Sequence, residues 1–115
     1  AVYDSILAQE PANAEAKAAR DNARFLARIS AAMADGEADP IARADAAPGD
    51  VDLALTAADA EIAAGKVEQA FDRLLAVIMK DKERVRTRMV ELFALFDAGD
   101  PRVADARARM ANALF

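Results

Sequence analysis

The stretch AAGKVEQAFDRLL, residues 63–75, has apolar residues at helical spacing on both sides of a single glycine. No cluster of proline, serine or asparagine surrounds Gly65, so no other residue type marks a loop there. Glycine accepts the left-handed backbone conformation that ends many helices, whereas a side chain would be strained in it. The stretch therefore predicts two helices joined by a turn of two or three residues, with Gly65 in the turn.

The composition of the chain favours an all-α fold. Hydrophobic residues make up 55% of the 115 residues, and about half of them are alanine, the residue with the highest helix propensity. Aromatic residues make up 5% and β-branched residues are scarce, which leaves little material for strands. Because alanine buries little area, we expect the helices to gain packing energy by close approach. The length fits one domain covering residues 1–115.

The chain is predicted to contain about seven helical segments, and prolines and glycines mark most of the breaks between them. The segments end at Pro11, Gly36, Pro48-Gly49, Gly65 and the sequence DAGDP at 97–101. The connections between the segments are very short, so consecutive helices must run antiparallel. A helical hairpin of this kind cannot bury both apolar faces within the pair, and the remaining faces must stack on neighbouring hairpins. The sequence therefore predicts a right-handed superhelix of antiparallel helices.

Helix starts are marked by capping residues. Asn13, Asp39 and Asp100 are predicted N-caps, and the last two precede Pro40 and Pro101 at first helical positions. The helix that follows Asn13 is predicted to carry on one face the apolar residues Phe25, Leu26, Ile29 and Met33.

Several functional classes lack their usual side chains here. The chain has no cysteine, histidine or tryptophan, which removes thiol and imidazole chemistry. Asp97 and Asp100 flank a turn, where capping explains them, and no loop has the spacing of a hard-cation site. A net charge of −5 argues against nucleic acid, and no apolar run is long enough to span a membrane. We expect no enzyme activity, cofactor or metal.

Residues 51–84 resemble one 34-residue tetratricopeptide repeat. Gly65 falls at the turn between the two helices, Ala70 at the small position where they touch, and Leu74 at a large apolar position. The repeat is degenerate, because Lys82 replaces the closing proline and the first helix lacks large residues at four positions. Those positions hold Ala54, Ala57, Ala58 and Glu61.

Residues 86–115 resemble the C-terminal end of the YbbN-type thioredoxin–tetratricopeptide co-chaperones. The matching features are Arg86, Leu92-Phe93, Gly99-Asp100-Pro101, Arg107 and Leu114-Phe115. In that family a thioredoxin-like domain precedes the repeats, and the protein binds unfolding or oxidised clients and passes them to chaperonin. The resemblance implies a cytoplasmic protein with client proteins and chaperonin as partners. Because the chain starts at Ala1 without methionine, we expect it to be a C-terminal fragment or processed product of a longer protein.

The resemblance also implies where a partner binds. In tetratricopeptide arrays the first helix of each hairpin lines the concave face. The corresponding candidate residues in this chain are Glu15, Ala18, Asn22, Phe25 and Leu26 on one such helix and Asp52, Leu55, Asp59 and Ile62 on the next. Asn22 beside an exposed part of Phe25 suits an extended peptide. Core packing is the alternative role for Phe25, Leu55 and Ile62, and stabilisation of a helix dipole is the alternative for Asp52.

A second candidate surface is the basic stretch KDKERVRTR, residues 80–88. This stretch could dock an acidic segment of a partner, since Arg84 and Arg88 share a helix face. The candidate residues are Lys80, Lys82, Arg84 and Arg88. The alternative is a solvated face paired with neighbouring carboxylates. Those carboxylates are Asp81, Glu83 and Glu91.

Two arginines of the last helices are expected to have a structural role. Arg86 and Arg107 are predicted to join the last two helices by pairing with carboxylates such as Glu91 or Asp105.

The alternative to partner binding is self-association in an assembly protein unrelated to the co-chaperones, as a homodimer through the first helix. That helix would use Tyr3, Ile6 and Leu7.

Overall fold

The computed structural model describes residues 14–34 and 39–115. Over these residues the chain forms six helices and no strand. They are α1 (Ala14–Ala34), α2 (Pro40–Ala46), α3 (Val51–Ala63), α4 (Val67–Val77), α5 (Lys82–Phe93) and α6 (Pro101–Leu114). The predicted all-α, tetratricopeptide-like helical superhelix is confirmed. The predicted first helix before Pro11, with its proposed dimer contacts, lies outside the described residues.

Aspartates cap most of the helix starts. The side chains of Asp39 and Asp100 accept hydrogen bonds from backbone N–H groups two residues further on, at 3.0 and 2.9 Å. These two predicted caps are therefore confirmed, and Pro40 and Pro101 open their helices as expected. The third predicted cap, Asn13, lies outside the described residues. Asp50 and Asp81, which the sequence patterns do not single out, cap α3 and α5 by accepting from the N–H groups of Leu53 and Arg84, three residues further on.

The turn between α3 and α4 has the conformation predicted from its glycine. Gly65 has a φ of +81°, in the left-handed region that favours glycine. The N–H of Lys66 donates to the carbonyl of Glu61 at 2.8 Å, and the N–H of Gly65 donates to that of Ile62 at 3.1 Å. These two bonds form a Schellman motif, which satisfies the last carbonyls of α3. The motif turns the chain at once into α4.

The core lies between the hairpin of α3 and α4 and the two helices that follow. Ala70 and Leu74 are fully buried, as their positions in the repeat predict. Phe71 lies beside the ring of Phe93 at 5.2 Å and the ring of Phe96 at 6.4 Å between centroids. This aromatic cluster joins α4 to the end of α5 and supplies bulk that the alanine-rich α3 lacks.

Helix α1 packs across two helices. It contacts both α3 and α5, which are the first helices of successive hairpins, whereas α2 packs on α3. Phe25 is buried in the core, but Leu26 is 56% exposed. The prediction that Leu26 shares the packed face with Phe25 is therefore wrong. Adjacent helical residues point about 100° apart, and turning Phe25 inward leaves Leu26 facing solvent.

Candidate protein-interaction surface

A buried carboxylate on α3 connects three helices. Asp59 is 3% exposed and accepts hydrogen bonds from Arg28 of α1 and Arg88 of α5, each at 2.8 Å. Arg28 also donates to Glu91 of α5 at 2.9 Å. We refer to these four residues as the inner ion network. It fixes α1 against the face that α3 and α5 present together.

Burial affects the ionisation of this network. Loss of water around Asp59 raises the pKa of its carboxyl above the ordinary value, although the hydrogen bond from Arg28 opposes the shift. Burial likewise lowers the pKa of Arg88. Both side chains were candidate partner-binding residues. The structure instead places them in contact with each other, so they support the surface from beneath.

The candidates on α1 take different positions. Asn22 is exposed, and it lies one helical turn from exposed Leu26. Phe25, which was expected to be partly exposed beside Asn22, is 7% exposed and belongs to the core. Glu15 lies in α1, but its side chain is outside the described part of the chain. The structure therefore brings Asn22 together with Leu26 at the surface.

The basic stretch does not form one free patch. Arg84 donates to Asp52 of α3 and pairs with Asp81 at 3.5 Å, while Arg88 reaches Asp59. Arg84 and Arg88 do share a face of α5, but this face is directed at α3. Both arginines therefore pair with carboxylates, as the alternative prediction has it. Two of these carboxylates, Asp52 and Asp59, lie on α3 and not in the basic stretch.

The lysines of the same stretch are placed separately. Lys80 donates to the carbonyl of Gly49 at 3.1 Å. Lys82 is exposed at the start of α5. Together with exposed Asp52, it is among the candidates that remain at the surface.

Sequence reasoning missed a basic groove between α1 and α5. Four cations line it, three from α1 at helical spacing and one from α5, and Val90 contributes an apolar part. The cations are Lys17, Arg20, Arg24 and Arg86. The groove has a volume of about 230 Å³. The spacing of the three cations over residues 17–24 was the signal that could have found it.

The carboxylate pairs expected for Arg86 and Arg107 are not observed among the described residues. Arg86 is exposed and makes no ion pair with any described carboxylate, so it does not join the last two helices. Arg107 does join α6 to α5, but its guanidinium lies 5.3 Å from the centroid of the Phe93 ring. The contact is a cation–π interaction with an aromatic ring, whereas the sequence predicted an ion pair with a carboxylate.

A second buried carboxylate also escaped sequence reasoning. Glu61 is 3% exposed and accepts hydrogen bonds from Arg73 of α4 at 2.7 and 3.3 Å. Arg73 also donates to Asp45 of α2 at 2.8 Å. We refer to these three residues as the outer ion network. The hydrogen bond to Glu61 raises the pKa of Arg73. Glu61 thus fills the large position of the repeat with a carboxylate that is paired.

The described residues also form a pocket near the inner ion network. This pocket of about 370 Å³ lies where α1, α2 and α3 meet, with Arg88 of α5 at its wall. Its polar lining consists of Arg28, Asp59 and Arg88 of the inner ion network together with Arg43 and Thr56, and the rest is apolar. Within residues 14–34 and 39–115, no three aspartate or glutamate side chains are placed to hold a metal ion. No helix in these ranges is both long enough and apolar enough to cross a bilayer. The arrangement is one of salt bridges and grooves between helices.

Comparison with known proteins agrees with this arrangement. The sequence profile of the tetratricopeptide repeat family matches residues 30–115. The chain is 40% identical, over 117 aligned positions, to the uncharacterized protein Rv1324 of Mycobacterium tuberculosis and to the uncharacterized protein Mb1359 of Mycobacterium bovis. Each alignment covers 98% of this chain and 37% of the relative, so the chain spans little more than a third of their length. No solved structure gives a significant match.

The profile match covers most of the chain and includes every hairpin described above. Tetratricopeptide repeats generally mediate protein–protein interactions and are typically non-catalytic. The short helical hairpins, the left-handed Gly65 and the buried Ala70 are the structural counterparts of this match. This chain belongs to the tetratricopeptide repeat family.

Proposed function

We propose that this chain is a non-catalytic module that binds client proteins or a chaperone partner within a longer thioredoxin-like co-chaperone of the YbbN type. The repeat match supports the binding role. The relatives are long enough to contain a further domain, because the aligned segment is 37% of their length. Chaperonin as a partner and a cytoplasmic location are part of the same proposal, and both rest on the resemblance of residues 86–115.

The observation that carries the binding role is the exposed apolar group on α1. Leu26 is 56% exposed beside polar Asn22, on a helix that is fixed to α3 and α5 by the inner ion network. An apolar side chain on a rigid support is a suitable anchor for another polypeptide, because little conformational entropy is lost on binding. This pair replaces the predicted pair of Asn22 and Phe25.

The candidate residues divide into two groups under this proposal. Asn22, Asp52, Lys82 and Arg84 are exposed, and we assign them contacts with a partner. Buried or mostly buried residues hold α1 in place for those contacts, and Glu15 of α1 stays a predicted contact. The supporting residues are Phe25, Asp59 and Arg88.

The test is capture of an unfolded client by the 115-residue chain. A permanently unfolded, reduced and alkylated protein and purified chaperonin serve as two separate probes. Leu26→Asp should weaken client binding about tenfold, because a charge would be placed in the apolar contact. Met79→Asp is the matched control, since Met79 is similarly exposed at 62% but lies on another part of the chain.

Equal loss in the two variants, or no capture of either probe by the unmodified chain, would contradict the proposal. Sedimentation of the chain at several concentrations provides a second readout. A monomer that binds the client supports a partner-binding module. A dimer that binds neither probe would instead favour the self-association alternative.

A further inference from the structure

We propose that the basic groove between α1 and α5 binds an acidic segment of a partner protein. This inference rests on the proposed function and specifies the chemistry of the partner. The groove consists of Lys17, Arg20 and Arg24 on α1, Arg86 on α5, and Val90. It is separate from the exposed pair of Asn22 and Leu26, which is not part of its lining.

The charge balance of the groove is the first argument. Two carboxylates lie at the groove, and each is already engaged within the chain. Asp21 is 1% exposed and accepts a hydrogen bond from Lys17 at 3.3 Å. Glu91 accepts the hydrogen bond from Arg28 of the inner ion network. Glu91 therefore holds α5 to α1, whereas Asp21 balances charge within α1, and neither carboxylate pairs with Arg24 or Arg86.

The second argument is the state of two arginines. Arg24 and Arg86 are both exposed, and neither makes an ion pair with another described residue. Other arginines of the chain, among them Arg73, Arg84 and Arg102, do pair with carboxylates. A guanidinium that faces a groove can bind a carboxylate through two parallel hydrogen bonds. Arg24 and Arg86 thus offer two such positions on facing helices.

The third argument distinguishes an acidic peptide from a nucleic acid. The chain carries a net charge of −5, so a long polyanion that extends beyond the groove would be repelled by the rest of the surface. Val90 is 37% exposed within the groove and provides a contact for an apolar side chain. Carboxylates alternating with apolar side chains match this lining, whereas a phosphodiester backbone uses only the cations.

The groove is also preorganised. Asp21 is buried beside Lys17 on α1, and the hydrogen bond from Arg28 to Glu91 fixes the distance between α1 and α5. Because both walls are held by contacts within the chain, a ligand would pay little to order them.

The experiment measures binding of a short fluorescent peptide of alternating glutamate and leucine to the 115-residue chain by fluorescence anisotropy. Charge reversal in the double variant Arg24→Glu/Arg86→Glu should weaken binding at least about tenfold, and added salt should weaken binding to the unmodified chain. Lys66→Glu is the control, because Lys66 is an exposed cation in the α3–α4 turn. Unchanged circular dichroism in both variants shows that the helices remain folded.

Besides a failure of the acidic peptide to bind, three results would overturn the inference. They are equal weakening by Lys66→Glu, equally tight binding of a glutamine–leucine peptide, and equally tight binding of a single-stranded RNA of the same charge. Its failure can be told apart from failure of the proposed function. If the acidic peptide does not bind but Leu26→Asp still reduces client capture, only this groove is excluded. If both tests are negative, the binding module itself is excluded.

Discussion

Helix α3 carries two buried carboxylates that face opposite neighbours. Asp59 and Glu61 are two residues apart, and each is 3% exposed and hydrogen-bonded to arginine. Asp59 belongs to the inner ion network and binds two arginines, one from α1 and one from α5. Glu61 belongs to the outer ion network and binds one arginine, from α4. A buried carboxylate paired with arginine thus joins α3 both to the partner helix of its own hairpin and to helices outside that hairpin.

The two sides differ in how much apolar packing supports the ion pairs. On the outer side, α3 and α4 are also joined by the Gly65 turn and by buried Ala70 and Leu74. On the inner side, the buried hydrophobic residues among the described side chains of α1 are Ala16 and Phe25. Charged hydrogen bonds therefore carry a larger share of the attachment of α1 than of the attachment of α4.

The largest expected effect is on the inner network. Asp59→Ala removes the acceptor of two arginines that are only about one-fifth exposed, at 23% and 20%. Breaking a buried ion pair on one side leaves uncompensated charge, so we expect a loss of about 3 kcal/mol of unfolding free energy, measured by urea denaturation. Asp52→Ala on the same helix is the control, because Asp52 is exposed and its ion pair should contribute about 0.5 kcal/mol. Equal losses of unfolding free energy in the two variants would show that the buried ion pair contributes no more than the exposed one.

A smaller effect is expected on the outer network. Glu61→Ala should lower the unfolding free energy by about 2 kcal/mol, because Arg73 keeps its hydrogen bond to Asp45. Hydrogen exchange measured by mass spectrometry should show faster exchange in α3 and α4, with a smaller increase in α1. Asp59→Ala should show the reverse pattern, with the increase mainly in α1. The same pattern in both variants would mean that the two networks do not act on separate helices.

The turn of the outer side gives a third test. Gly65→Ala should cost about 1 kcal/mol, since a φ of +81° strains any residue with a Cβ although no atom lies within 4 Å of the new group. Gly99→Ala is the matched control, because Gly99 is equally open and does not have a left-handed φ. Thermal denaturation should show a lower midpoint for Gly65→Ala alone. A similar decrease in both variants would point to a general cost of alanine in turns.

The smallest effect is in the pH dependence, where Asp59 is compared with the N-cap Asp100. Burial raises the pKa of Asp59 above 3.8, so the folded state binds its proton more tightly than the unfolded state. The contribution of Asp59 to stability therefore falls as the pH rises from 3.8 through the raised pKa. Hydrogen bonds from Arg102 lower the pKa of Asp100 to about 2, so its contribution is lost as the pH falls from 3.8 towards 2.

Asparagine variants separate the two groups. The difference in unfolding free energy between the unmodified chain and Asp59→Asn should decrease with rising pH above 3.8. The corresponding difference for Asp100→Asn should increase with pH between about 2 and 3.8. Urea denaturation over this pH range gives both slopes, and slopes of the same sign would contradict the assignment.

Local patterns predicted the fold well. Apolar spacing, the glycine at position 65 and the aspartates before Pro40 and Pro101 act over a few residues, so the sequence contains the whole physical cause. The small residue Ala70 was also placed correctly, because its role depends on its own hairpin. These features required no knowledge of how distant helices meet.

The candidate surface was predicted less completely, because it depends on distant contacts. Arg28 reaches Asp59 and Glu91 across 31 and 63 residues, and no local spacing indicates either pair. Without the position of α1, Phe25 could be read as exposed and Arg88 as a free cation. Arg86 matches the family pattern in the sequence, but Arg24, which lines the same groove, lies on α1 and is distant in sequence. The groove could therefore not be predicted from Arg86 alone.

The double contact of Arg28 has a consequence for how the chain unfolds. In a simple repeat array each unit touches only its neighbours, so the ends can melt while the middle persists. Here one guanidinium fastens the first described helix to two later hairpins, which makes their melting interdependent. We therefore expect a single cooperative transition in the unmodified chain, at the expense of slower closure of contacts that are far apart in sequence.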